Sequence, residues 1–213
     1  MILVSITAAV THLLHMQLGA RYGTTSCAIA HQLNNSGRLI SVEPDHRVWN
    51  ILDQNSIDHR CSFWLLRGTI SDKPLLDVTA DSLYNTRSMA SPLLPSPLSK
   101  SGSKRSYTME EIQQVTNLSV SAVLIDCEGC IDSLFAGNSL PFGALLANIS
   151  TIILEADMST AALDCKSRCV DYNEWIDNFA AVGLSVVHKE QDSMYRQIWH
   201  YVFSRNSPYA SSV

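Results

Sequence analysis

The chain has 213 residues, a formal net charge of −5, 46% hydrophobic residues and 16% charged residues. That length suits one domain with its own core and excludes two full ones, since domains centre near about 150 residues, and the composition excludes global disorder. The acidic balance lacks the broad basic footprint of a polyanion binder, so no nucleic-acid partner is expected.

Residues 1–10 are apolar, but they carry no basic leader, and His12, His15 and Gln17 interrupt the run short of the ~18 residues a membrane span needs. No membrane partner is expected. A weak signal sequence is the alternative for this stretch, yet its nearest small-residue cleavage site, Leu18-Gly19-Ala20, falls where the chemistry is placed below.

A short apolar run at residues 13–18 leads into Gly19-Ala20-Arg21-Tyr22-Gly23, and Ala28, Ile29, Ala30 and Leu33 follow at helical spacing. This predicts strand, glycine turn and helix, with Asn34-Asn35-Ser36-Gly37 as the stop, because Asn and Gly tolerate the left-handed conformation there. Leu39-Ile40-Ser41-Val42-Glu43 is a second strand closed by Pro44, so the opening is a β-α-β unit with parallel strands. Residues 45–55 carry Val48, Trp49, Ile51 and Leu52 at helical spacing, and residues 62–67 read as a third strand before Gly68.

Residues 88–106 are rich in Ser and Pro and bury too little apolar surface to offset ordering entropy, which predicts an exposed, mobile insertion. Thr108-Met109-Glu110-Glu111 has the form of a capping box and starts a helix running to about Asn117. Residues 121–125 form a buried strand that delivers Asp126 at its tip, and residues 149–155 repeat the arrangement with Glu155. A helix over 172–182 buries Trp175, Ile176 and Phe179 and stops at Gly183. The last two strands, 184–188 and 197–203, are joined by a connection too short for a crossover helix, hence an antiparallel hairpin. The expected fold is a single α/β domain over residues 1–213, a three-layer Rossmann-like sandwich with a mostly parallel sheet and a C-terminal antiparallel hairpin.

In such a sheet, ligands bind beyond the carboxyl ends of the strands, near the point where strand order reverses. The tips there are Gly19–Gly23, Glu43, Gly68–Ile70, Asp126–Gly129 and Glu155–Asp157. Glycines at 19 and 23 allow a close approach of backbone to ligand, and the helix start behind them offers free amides. A carboxylate at the end of the second strand, Glu43, stands about 20 residues further on, where this fold class binds ribose hydroxyls. The candidate cofactor residues are therefore Gly19, Ala20, Arg21, Tyr22 and Gly23 of the turn, Ser26 at the helix start, Glu43 with Pro44, Thr69 at the third tip, and Asp126. Neither Gly-x-Gly-x-x-Gly nor a nucleoside-triphosphate loop is present, which disfavours NAD and ATP.

Taken in order, Leu18-Gly19-Ala20-Arg21-Tyr22-Gly23, Ser41-Val42-Glu43-Pro44-Asp45 with Asn55 downstream, Thr108-Met109-Glu110-Glu111, Leu124-Ile125-Asp126-Cys127-Glu128-Gly129 and Ile153-Leu154-Glu155 resemble the FkbM-type family of class I S-adenosylmethionine-dependent methyltransferases, over about residues 13–157. The resemblance implies S-adenosylmethionine as cofactor, with Gly19 and Gly23 under its methionine part, Glu43 and Pro44 at its ribose, and Asp126, Glu128 and Gly129 beside the methyl group and acceptor. It implies O-methylation of a hydroxyl on a sugar or small metabolite, with Asp126 or Glu128 as the catalytic proton acceptor and no metal ion. Three positions depart from the family pattern: Gln17 where Asp or Glu is usual, Leu124 where Lys is common, and Ile131 where a second acidic residue often stands. A catalytically inactive nucleoside-binding module is the alternative function, and oligomeric state is not legible.

Six cysteines, at 27, 61, 127, 130, 165 and 169, are too few for a scaffold that replaces a core, so a reduced, cytoplasmic protein is expected. Cys127 and Cys130 have Cys-x-x-Cys spacing, but no second such pair completes a zinc site. Most of the histidines read as surface or rim residues; His46, which follows the Glu43-Pro44-Asp45 tip, reads as a helix-start residue, and all four tryptophans read as packing residues.

Overall fold

The computed structural model describes residues 13–70, 75–79, 86–90, 106–127, 130–131, 146–157 and 170–205. In chain order the opening elements are β1 (Leu13–Leu18), α1 (Thr24–Gln32), β2 (Leu39–Glu43), α2 (Trp49–Asp58) and β3 (Trp64–Arg67). Four short strands follow: β4 (Thr69–Ile70), β5 (Leu75–Thr79), β6 (Thr86–Ala90) and β7 (Ser106–Tyr107). The remainder comprises α3 (Met109–Thr116), β8 (Ser119–Ile125), β9 (Thr151–Asp157), α4 (Tyr172–Ala181), β10 (Leu184–Gln191) and β11 (Ile198–Arg205).

Seven strands make the main sheet in the order β3-β2-β1-β8-β9-β11-β10. β1, β2, β3, β8 and β9 run parallel, and β11 enters antiparallel between β9 and β10, which is the terminal hairpin expected from its short connection. Strand order reverses between β1 and β8, because successive strands move outward from β1 to β3 on one side and from β8 to β9 on the other.

Alternation along the strands divides the core. Leu14, Met16 and Leu18 of β1, Ile40 and Val42 of β2, Val123 and Ile125 of β8, and Ile152, Leu154 and Ala156 of β9 share one apolar layer with Ile112 of α3 and Phe179 of α4. The opposite face of β2 offers Leu39 to a smaller cluster with Cys27 and Ala30 of α1 and with Cys61. Helices thus cover both faces, as a mostly parallel sheet requires.

Local signals set the helix ends. Thr108 Oγ1 accepts from the Glu111 amide while Glu111 Oε2 accepts from the Thr108 amide, the reciprocal capping box that the sequence predicts. Asn117 takes the left-handed conformation that ends α3. Asp171 caps α4 through the amides of Asn173 and Glu174.

Some expectations change. Most of the insertion expected at 88–106 lies outside the described residues; its flanks, Ser88–Ala90 and Ser106, belong to β6 and β7. Trp64 is not a packing residue: it sits on the edge strand β3, 53% exposed, with its indole N–H donating to the Gly37 carbonyl. The reduced state is corrected too, because Cys27 pairs with Cys61 across a Cα–Cα distance of 5.0 Å, and Cys127 with Cys130 across 5.7 Å. Composition gave no sign of this, since compartment rules speak to cysteine number and not to which sulfurs the fold brings together. Cys165 and Cys169 lie outside the described residues. Among the described residues no helix is long and apolar enough to cross a membrane.

Candidate functional site

The carboxyl ends of the parallel strands bring the glycine turn, Glu43 and Asp126 together where strand order reverses. Leu18 stands opposite Val42 on one side and Ile125 on the other, so the next step of register sets Gly19 between Glu43 and Asp126. The turn is fastened to both neighbours: the Gly19 and Ala20 amides donate to the Val42 carbonyl at 3.1 Å, and the Asp126 amide donates to the Leu18 carbonyl at 3.1 Å.

Gly19 has φ +87, which side chains with a Cβ rarely adopt, and a Cβ there would run into the Asp126 carbonyl and come within 3.0 Å of the Cys127 Cβ. Arg21 also has positive φ, +49. Its strained conformation aims the Arg21 amide at Glu43 Oε2, 2.7 Å away. Glu43 Oε1 accepts from the Asp45 amide, also at 2.7 Å. The carboxylate is 5% exposed and is held by two backbone donors. Each of its two oxygens is thus fixed by a main-chain donor. Asn55 of α2 donates to the Tyr22 carbonyl at 2.7 Å and ties the far end of the turn.

Gly23 stands at the N-cap of α1 in the left-handed conformation and makes no side-chain cap among the described residues, so the start of that helix presents main-chain amides beside the turn. Ser26 lies deeper. It is fully buried, and its hydroxyl donates to Gln17 Oε1 at 2.7 Å, pinning α1 to β1. Gln17 Nε2 and the Ser41 hydroxyl are both buried and, among the described residues, without a hydrogen-bond partner, and the two residues face each other across β1 and β2. Buried orphans of this kind call for a polar visitor, whether water or ligand. Pro44 sits between the anchored Glu43 and Asp45. Thr69 is buried in β4 with its hydroxyl 3.2 Å from that of Ser106, one residue past Gly68, whose amide donates to the Glu43 carbonyl. Glu128 lies outside the described residues.

Burial, and then the neighbouring Glu155 carboxylate, push the Asp126 carboxyl up to about 7, against the opposing pull of Arg21 and His200. A group that exchanges its proton near neutrality suits a general base. Glu155 is paired directly with His200 of β11, and His200 Nε2 lies 3.2 Å from Glu155 Oε2. The strand-tip rule puts Glu155 on the rim but does not reach His200, whose place beside Glu155 depends on the register of the terminal hairpin. A groove of about 220 Å³ lined by Gly23, Thr24, Cys27, His31, Asn55 and His59 runs between α1 and α2, beside the turn and apart from Glu43 and Asp126.

Comparison with known proteins bears on the fold. No family model matches the sequence, and no curated protein matches it. Among solved structures, TrmK of M. capricolum, in complex with S-adenosylhomocysteine, superposes with a TM-score of 0.50 at 9% identity, covering 95% of this chain and 66% of that one. The fold is that of the class I methyltransferases. An uncharacterised protein of Listeria monocytogenes shares it with a TM-score of 0.51 at 9% identity, covering 92% of this chain and 62% of that one. Sp1610 of Streptococcus pneumoniae, named a candidate tRNA methyltransferase, is similar with a TM-score of 0.46 at 11% identity, covering 91% of this chain and 64% of that one. The chain thus spans less than two thirds of the length of these proteins.

One expectation is corrected: the exclusion of a nucleic-acid partner, drawn from net charge, does not hold for a chain with this fold. Net charge reports a long-range average over the surface and does not see the few residues that would seat a strand.

Proposed function

We propose that this chain binds S-adenosylmethionine between the Gly19–Gly23 turn and Glu43 and transfers its methyl group to a hydroxyl. The observation that carries the reading is the grip on Glu43: two backbone amides, one of them from the strained Arg21, fix a buried carboxylate at the tip of β2 beside the glycine turn. A carboxylate held this way is pre-organised to accept from vicinal hydroxyls, which is what a nucleoside presents at this position of the fold. The resemblance to FkbM-type enzymes, and neighbours solved with S-adenosylmethionine or S-adenosylhomocysteine, support the choice of cofactor.

When bound, the cofactor supplies a sulfonium methyl that needs no further activation. The chain supplies alignment and a place for a proton. Glu43 would hold the ribose, the main-chain amides at the start of α1 and the orphaned Gln17 Nε2 offer donors to the cofactor's polar end, and Asp126 would take up the acceptor's hydroxyl proton. The favoured acceptor is a hydroxyl of a sugar or small metabolite; a ribose hydroxyl within RNA presents the same group.

A specific observation supports a second reading, a silent nucleoside-binding module. Gln17, whose amide nitrogen is unmet, stands where the FkbM-type pattern carries an acid. Calorimetry with S-adenosylmethionine and S-adenosylhomocysteine decides first: Kd values near micromolar, or about −8 kcal/mol, with at least a tenfold loss in Glu43→Ala, are expected. Absence of heat with both ligands would reject the cofactor assignment. Transfer of labelled methyl groups to separate sugar, metabolite and tRNA pools then distinguishes an enzyme from a silent module.

A further inference from the structure

The sheet lines up three ionisable side chains from three strands that lie far apart in sequence. Ile125 of β8 stands opposite Leu154 of β9, so Asp126 falls beside Glu155 at a strand spacing of about 4.8 Å. Glu155 is paired with His200, and their side chains meet at 3.2 Å. Strand alternation turns this row away from the layer of Ile125, Leu154 and Ala156. The row also opens outward, because the His200 and Glu155 side chains are 28% and 36% exposed.

We infer that Asp126, Glu155 and His200 act as one proton-sharing row, in which His200, oriented by Glu155, passes to solvent the proton that Asp126 takes from a methyl acceptor. The inference rests on the methyl-transfer reading above. As the acceptor O–H bond breaks and the O–CH3 bond forms, the S–CH3 bonding pair stays on sulfur. The hydroxyl proton moves to Asp126 and leaves through His200, one proton released to water per methyl group transferred. Such an outlet is needed because a buried acid that keeps its proton cannot serve the next turnover.

Other charged groups bear on the row. Arg21, from the turn after β1, favours the Asp126 carboxylate, as does His200, whereas Glu155 favours its protonated form. On the far side His200 is paired with Glu190 of β10, His188 lies 3.5 Å from Glu190, and Asp192 in the hairpin turn feels the His200 charge.

The test is an NMR titration of the full chain, labelled at aspartate and histidine, from about pH 4 to about pH 9. In the parent protein the Asp126 carboxyl should titrate near neutrality, and the His200 ring signals should register that step, as coupled sites do. Glu155→Gln removes a negative neighbour and should move the Asp126 inflection down; His200→Gln removes a positive one and should move it up, each by about half a unit or more. An Asp126 inflection that stays in place in His200→Gln overturns the proposal, and the two variants report independently if one fails to fold. Calorimetry with S-adenosylhomocysteine on the same samples separates the two levels: coupling without binding would reject the methyl-transfer reading and with it the row's role, whereas binding without coupling rejects the row alone.

Discussion

Gly19 rests against the backbone carbonyl of Asp126, so that the tips of β1 and β8 touch through the one residue type that has no side chain to keep them apart. This contact holds the glycine turn and the candidate base in one place. It also makes the two turn glycines unequal. Gly19→Ala would combine a forbidden φ of +87 with a collision against rigid backbone, and should destabilise the fold by about 3 kcal/mol or more. At Gly23, φ is +83 but a Cβ would meet only Leu52, at an ordinary 3.5 Å, so Gly23→Ala should cost about 1 kcal/mol. Urea unfolding of both variants checks the order; equal losses would contradict the contact.

Asp126 makes stability depend on pH with a definite sign. Its carboxyl is raised from 3.8 to about 7 in the folded state, so the folded chain holds a proton that the unfolded chain releases. The favourable contribution is complete below about pH 4 and disappears as pH rises through about 7. Asp126→Asn, which stays neutral, should match the parent near pH 4 and exceed it by about 3 kcal/mol near pH 8. Parallel denaturant melts at the two pH values test this, and a constant offset between the proteins would refute the assignment.

Cys27 and Cys61 join α1 to the segment entering β3 across 34 residues of sequence. A loop of that length closed by a disulfide is worth about 3–4 kcal/mol in the chain-entropy account. Reduction should lower the unfolding free energy by that order, and intact mass under non-reducing conditions should be two hydrogens lighter per bridge. Two free thiols at these positions under oxidising conditions would disprove the pairing.

Arg205 closes the other end of the sheet. Its guanidinium donates to three carbonyls, from Nε to Ile149 at 3.2 Å, from Nη1 to Val182 at 2.5 Å and from Nη2 to Leu146 at 3.0 Å. Lysine keeps the charge but not the planar fork, so Arg205→Lys should lose about 2–4 kcal/mol, nearly as much as Arg205→Ala. Full rescue by lysine in a thermal melt would show that charge alone matters.

Local order was legible wherever a period or a cap carried it. The run at Leu13–Leu18, the glycine turn, the strand ending at Glu43 and the Thr108 capping box each follow from interactions within a few residues, so the residues themselves determined those elements and even the position of the candidate ribose carboxylate. What the sheet places side by side was decided elsewhere. His200 meets Glu155 only because β11 inserts between β9 and β10 in one register, and a slip of one residue would turn it to the other face. The Cys27–Cys61 pair and the three carbonyls gathered by Arg205 likewise join segments whose separation only the packed sheet removes. Short-range patterning fixes which residues stand at strand tips; long-range burial fixes which tips are neighbours, and proton affinity depends on neighbours.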